Sequence, residues 1–217
     1  MNITFLGHAC FLLEDGSYSV LTDPFLTGQG RSIQGLDPDD IAVTHGHGDH
    51  VGDTADIAAA AGSTVLCTVE LGEALFEPKG LRTVVGNIGG AVPMPFGRVK
   101  FLPAVHGSGV PGGLACGFLF EMGGKKIYHA GDTALTMDMG LLAAEGVDVA
   151  LLPIGDVYTM GPADALRAVE LIRPKLVVPM HYNTFPAIVQ DADAFAAAVE
   201  KTGVRCAVLR PGETLEL

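Results

Sequence analysis

The sequence predicts an α/β (α+β) fold in which two β-sheets pack face to face and helices cover the outer faces. Three observations point there. Short β-rich apolar runs recur along the whole chain, helical patterns fall between some of them, and the order of strands then helices occurs twice. With 217 residues, 48% of them hydrophobic, the chain has the material for a substantial core.

The strand candidates are, in order, ITFL, CFLLE, YSVLT, DIAVT, STVLCT, RTVVG, VKFLPAV, ACGFLFEM, KKIYHAG, VDVALLPI, KLVVPM, VRCAVL and ETLEL. EDGSY and MGGKK carry tight-turn chemistry between neighbouring runs. TADIAAAAG is Ala-rich and ends on Gly62, a residue type suited to a C-terminal cap. ALTMDMGLLAAEG, PADALRAVELIR and DADAFAAAVEKTG place apolar residues at helical spacing and end near Gly or Pro. The first half reads mostly as hairpins and the second as strands alternating with helices. No linker, charge block or low-complexity tract divides them, so residues 1–217 are expected to form one domain.

The charge balance narrows the partners. Twenty-five acidic against 13 basic residues give a net charge of -12. Binding a phosphate backbone depends on clustered Lys and Arg, so nucleic acid is not expected as a partner. The longest apolar runs fall short of the roughly 20 residues needed to cross a bilayer. MNITFLGHAC lacks a basic region followed by an apolar block, so a cytoplasmic location is expected. Cys10, Cys67, Cys116 and Cys206 lie far apart with small or apolar neighbours, which predicts buried, reduced thiols.

Chemistry concentrates in IAVTHGHGDHVGD, where three of the seven histidines fall within residues 45–50. The run Ile41 to Val43 reads as a strand that delivers Thr44 and His45 to its end. Gly46 and Gly48 would let the following loop wind closely and turn side chains toward one centre. His45, His47, Asp49 and His50 then offer imidazole nitrogens and a carboxylate, a set that suits zinc, manganese or iron. One loop cannot complete two coordination spheres. His106 after VKFLPAV, Asp132 after KKIYHAG and His181 after KLVVPM each follow a strand, so the same sheet edge would gather them.

The order HGHGDH, a histidine after a strand, GD and a late histidine resembles the metallo-β-lactamase superfamily. LGHACFLLE, TDPFL, YHAGDT and PMHYNTF are similar to a group of small metal-dependent hydrolases related to ascorbate-6-phosphate lactonases. The resemblance spans nearly the whole chain. It implies an αββα sandwich of two mixed sheets with a two-metal site at one edge. Carried over, His45, His47 and His106 hold one ion, Asp49, His50 and His181 the other, and Asp132 bridges them. A hydroxide between the ions would then attack a carbonyl or phosphorus, with Asp49 orienting it or moving its proton. The ions implied are zinc or manganese, with iron and nickel also compatible with the donors.

Around this centre, His8 is expected to face the site as an acid or substrate donor, and His129 to support Asp132. Asp23 is expected either to support the site from behind or to contact substrate, and Arg31, Tyr158 and Asn183 are candidates for substrate contact, Arg31 toward an anion. The resembling proteins tend to have a second glycine and an asparagine where Asp156 and Val157 stand here. The expected function is hydrolysis of a small ester, lactone or phosphoester. The alternative is a metal-binding or metabolite-sensing protein of the same fold without turnover. A homo-oligomer is compatible with the resemblance.

Overall fold

A computed structural model describes every residue except Ser17. The first sheet takes β1 (Asn2–Gly7), β2 (Cys10–Asp15), β3 (Tyr18–Thr22), β4 (Asp40–Ala42), β5 (Thr64–Thr68) and β6 (Thr83–Gly86). The second takes β7 (Ala91–Met94), β8 (Gly97–Pro103), β9 (Cys116–Met122), β10 (Lys125–His129), β11 (Val149–Pro153), β12 (Leu176–Met180) and β13 (Arg205–Cys206). A last strand, β14 (Thr214–Glu216), returns to the first sheet beside β1. The orders are β14-β1-β2-β3-β4-β5-β6 and β13-β12-β11-β10-β9-β8-β7.

Both sheets are mixed, and they are built alike. β1–β2–β3 and β7–β8–β9–β10 are antiparallel, whereas β3–β4–β5–β6 and β10–β11–β12–β13 are parallel. The expectation that the first half is mostly hairpins therefore needs correcting. Its second part is crossover structure, because YSVLT, DIAVT and STVLCT are near-continuous apolar runs buried on both faces, the pattern of parallel strands.

Between the sheets lies the main core. Ile3, Phe5, Phe11 and Leu13 of the first sheet meet Phe101, Phe118, Phe120 and Ile127 of the second. Successive side chains of a strand face opposite ways, so Ile41 and Val43 point outward from the first sheet while Ala42 points inward. That outer face is covered by α2 (Thr54–Ala61), which contributes Ile57 and Ala58 and follows a one-turn helix α1 (Gly48–Val51). Gly62 caps α2 in the left-handed conformation, as its sequence predicts. The second sheet is covered by α4 (Pro162–Ile172) and α5 (Ala192–Glu200), numbered after a short α3 (Val69–Leu71). Pro162 opens α4 where no backbone donor is needed, and the Asp191 carboxylate caps α5 by accepting from Ala194 N–H at 2.9 Å.

Three elements depart from the sequence reading. ALTMDMGLLAAEG forms 3₁₀ turns over Met137–Ala144 instead of an α-helix, with Gly140 in its middle. The helical segment Val69–Phe76, which runs from α3 into a π-turn, carries no cap signal and was not anticipated. Nor was β7, whose Pro93 argues against a strand. It is tolerated because β7 is the edge of its sheet.

Among the described residues no helix is long and apolar enough to cross a membrane. All four cysteines are free; Cys10, Cys67 and Cys116 are buried and Cys206 partly so. Burial pushes the Cys67 and Cys206 thiols up to about 12, so at neutral pH they are un-ionised.

Candidate metal centre

The histidine loop begins where β4 stops pairing. Val43 N–H still bonds to Leu66 O, but Thr44 N–H turns to the carboxylate of Asp23, 2.8 Å away. The loop is then pressed against the segment that carries His106. Gly46 N–H donates to Ser108 O at 2.7 Å, and a β-carbon on Gly46 would stand 3.0 Å from that oxygen. Gly46 is thus required by close approach. Gly48 is not: a β-carbon there would meet nothing within 4 Å.

The other groups come from strand ends at the same edge. Asp132 follows β10 by way of Gly131, whose left-handed backbone lies against Cys116 O. His181 follows β12, and its N–H donates to the carbonyl of His8 at 2.8 Å. His8, Asp23 and His181 all have positive φ, the left-handed region that costs a residue with a β-carbon free energy. Such strain, held by surrounding hydrogen bonds, is characteristic of functional sites.

Three donor groups result. One ligand atom each from His45, His47 and His106 lie within 4.8 Å of one another; so do those of His8, Asp49, His50 and His181, and those of His45, His50 and Asp132. Within the first group His45 Nε2 and His106 Nε2 lie 3.0 and 3.2 Å from His47 Nδ1. Two nitrogens bound tetrahedrally to one ion at about 2.0–2.1 Å would sit roughly 3.3 Å apart. Asp132 stands between the groups. Its Oδ1 lies 3.2 Å from His50 Nε2, and its Oδ2 lies 3.2 Å from His181 Nε2 and 3.5 Å from His106 Nε2.

Several of these atoms are buried without a hydrogen bond: His50 Nε2, Asp132 Oδ1 and both ring nitrogens of His181. Leaving such atoms unpaired costs about 1–3 kcal/mol each. A divalent cation among them would satisfy three at once, so the residues fit a metal. Their pKa shifts agree. Burial lowers His45 to about 3, which keeps it a neutral donor. Burial also works against charge on His50, but Asp132 and Asp23 on either side outweigh it and raise that imidazole well above its ordinary value. For Asp132, burial opposes the anion, yet His50 and His181 hold its carboxyl well below the usual range. The centre is built to hold a positive charge at that point.

Behind the donors a buried chain fixes the rings. Asp23 Oδ2 accepts from Thr44 O–H and from His50 Nδ1–H, each at 2.8 Å, and Thr44 Oγ1 accepts from His45 Nδ1–H at 3.0 Å. With a cation at the centre, both rings would carry their single proton on Nδ1 and turn Nε2 to it, a tautomer choice that outer partners commonly impose. Asp23 is fully buried, so it underpins His50 instead of meeting a substrate. Thr44 was not singled out from sequence beyond its place at the strand end; its position immediately before His45 is the available signal.

His8 is also buried. Its Nε2–H faces Asp49 Oδ2 at 3.2 Å and its Nδ1 faces Thr184 Oγ1 at 2.9 Å. Burial lowers His8 below its usual pKa, so the ring is neutral and its single proton goes to the carboxylate. His129 spans the two sheets, donating from Nε2 to Ala9 O at 2.8 Å and accepting Gly131 N–H at Nδ1. It steadies the turn before Asp132 without touching the centre.

Arg31 and Asn183 line a pocket of about 430 Å³ in which His8, Tyr182 and Thr184 also take part. Tyr158 does not line it. It stands exposed at the tip of the loop 155–160, whose ends are pinned to the centre. Met160 N–H bonds to Thr133 O at 3.0 Å, and Gly155 packs against the carbonyl of His181. Asp156 and Val157 in this loop both adopt positive φ, 63° and 53°, which explains why glycine and asparagine suit these two positions.

Comparison with known proteins agrees with this geometry. A family model described as a beta-lactamase superfamily domain matches residues 2–181. A metal-dependent hydrolase of the UPF0173 group from Symbiobacterium thermophilum is 51% identical over the whole of both chains. Another from Thermus thermophilus is 47% identical, covering all of this chain and 99% of its own. Among solved structures, Igni18, a metallo hydrolase from Ignicoccus hospitalis, superposes with a TM-score of 0.92 at 35% identity, covering 100% of this chain and 98% of that one. The chain belongs to the beta-lactamase superfamily, within the UPF0173 group of metal-dependent hydrolases.

Proposed function

We propose that this protein is a hydrolase that works with two divalent ions and cleaves a small ester, lactone or phosphoester. The observation that carries the reading is Asp132, whose two oxygens reach histidines of both donor groups while buried nitrogens around it lack partners. His45, His47 and His106 would hold one ion, and Asp49, His50 and His181 the other, with Asp132 shared. Nitrogen and oxygen donors of this kind suit zinc or manganese, and accept iron or nickel. Bound there, divalent ions ionise water near neutral pH and polarise an electrophilic carbonyl or phosphoryl group.

The chain's own residues do the positioning. Asp49 is the partly exposed carboxylate of the centre, with Oδ2 3.2 Å from His8 and 3.8 Å from His181. Its pKa is depressed: burial opposes the anion, and the hydrogen bond from His8 together with the electrostatic attraction of nearby His50 and His8 outweighs it. A carboxylate held so firmly as the anion serves best as an acceptor that orients attacking water. His8 fixes that carboxylate from behind, and Thr184 fixes His8. Net charge -12 and the volume of the neighbouring pocket, about 430 Å³, favour a small molecule over nucleic acid.

The test pairs metal content with turnover. Protein loaded with manganese or zinc should bind two ions per chain and hydrolyse at least one member of a panel of small lactones, esters and phosphodiesters. Asp132→Ala should lose ions and turnover together. Two bound ions with no turnover across the panel would instead favour the metabolite-sensing alternative.

A further inference from the structure

The pocket beside His8 has a composition unlike the rest of the chain. Acidic residues outnumber basic ones by 25 to 13, yet its lining contains Arg31 and Arg210 and no carboxylate. The two arginines reach it from opposite ends of the sequence, one from the loop after β3 and the other from the turn before β14. Among the described residues neither guanidinium is engaged in an ion pair, in contrast to Arg98 and Arg167. Glu213, the nearest acid in sequence to Arg210, is occupied in accepting the Arg210 backbone N–H at 2.8 Å. Two exposed cations lining one pocket without counter-ions repel each other, and an anion bound in that pocket relieves the cost.

The remaining lining supplies neutral donors. Asn183 Oδ1 accepts Gln190 N–H at 2.8 Å, which leaves its amide NH₂ free to donate. Burial raises the Tyr182 phenol, so it keeps its proton. The floor is His8, whose other face bonds to Asp49. A volume of about 430 Å³ accommodates an anionic group together with the body of a small molecule.

We propose that this pocket receives an anionic group of the substrate, a carboxylate or a phosphate, held by Arg31 and Arg210. The proposal deepens the hydrolase reading and rests on it: the substrate is an anion-bearing small molecule whose scissile bond lies on the Asp49 side of His8. Arg210 thereby acquires a role that its place near the chain end did not suggest.

The test separates the two claims. Metal-loaded protein is titrated calorimetrically with inorganic phosphate and with acetate. One saturable site is expected, weakened about tenfold by Arg31→Gln and by Arg210→Gln and unchanged by Arg167→Gln on α4. The tighter of the two anions identifies phosphate or carboxylate as the group taken. Binding should persist in Asp132→Ala, with its fold verified by circular dichroism. Equal affinity in wild type and both pocket variants overturns the proposal, and so does loss of binding in folded Asp132→Ala, which would put the anion on the metals. In turnover of matched anionic and neutral esters, the pocket variants should raise KM about tenfold for the anionic one alone, with kcat within about twofold. Arginine-dependent phosphate binding without any turnover would refute the hydrolase reading and leave the pocket standing.

Discussion

The carboxylate of Asp23 lies 2.8 Å from Nδ1 of His50, and neither side chain has any solvent-accessible surface. The same carboxylate holds Thr44, and through it His45, so one buried aspartate aligns a ring in each donor group. Asp23→Asn keeps the shape but offers His50 an amide that can present a donor where an acceptor is needed. Metal affinity should fall about 10- to 100-fold, measured by competition with a chromophoric chelator. Asp23→Ala should also destabilise the metal-free protein by about 3–5 kcal/mol in urea unfolding, because a buried imidazolium loses a partner. Metal affinity unchanged in Asp23→Asn would mean the tautomers are fixed elsewhere.

Gly155 is the point where the loop 155–160 passes His181. A β-carbon there would stand 2.3 Å from the His181 carbonyl oxygen and 3.3 Å from its Nδ1. Gly155→Ala should therefore displace His181 and, on the two-ion reading proposed above, lower the bound metal from two ions per chain toward one, read by elemental analysis. Full occupancy by two ions in this variant would show that the loop yields instead of the histidine.

Val157 pays for its conformation in strain. A β-branched residue at φ 53°, two-thirds exposed, gains little packing in return. Asparagine tolerates this region, so Val157→Asn should stabilise the fold by about 0.5–1 kcal/mol. The check is the urea midpoint at constant m-value; a lower midpoint would refute the strain argument.

Far from the centre, Glu145 bridges Lys100 and Lys126 at 3.1 Å each. These hydrogen bonds hold its carboxyl below 4.5, the ordinary value. Because the folded pKa is the lower one, the stabilisation is present above pH 4.5 and is lost as pH falls below it. The group is about one-third exposed, so screening limits its contribution to about 0.3–1 kcal/mol. Glu145→Gln should show that deficit at pH 7 and converge with wild type near pH 3. A deficit that persists unchanged at pH 3 would assign it to packing.

The sequence made the donors legible because each is a chemically unusual residue placed directly after an apolar strand: His45 after IAV, Asp132 after the YHAG run, His181 after VVPM. Strand ends at one sheet edge converge without any knowledge of loop geometry. The supporting shell was less visible. Thr44 and Thr184 are ordinary residues whose importance arises only from where their hydroxyls point. Asp23 read equally as a support of the site or a substrate contact, because its burial beneath His50 depends on the pairing of β3 with β4. Arg210 carried no signal at all, since nothing local marks a turn arginine that shares a pocket with residue 31. Among the elements, β7 and the Val69–Phe76 helix were hidden by a proline and by missing caps, both outweighed by tertiary context.

The pairing of β14 with β1 joins residues separated by about the whole chain, with the Thr4 and Thr214 hydroxyls 2.8 Å apart. During synthesis β1 must wait, one edge unsatisfied, until residues 214–216 have left the ribosome. The pocket wall at residues 208–211 arrives on the same late segment. The histidine cradle is complete as soon as His181 emerges, but its neighbouring pocket closes only with the last turn and strand. A truncated nascent chain would thus own the metal-binding half of the machinery and lack the other, while exposing a strand edge that invites aggregation.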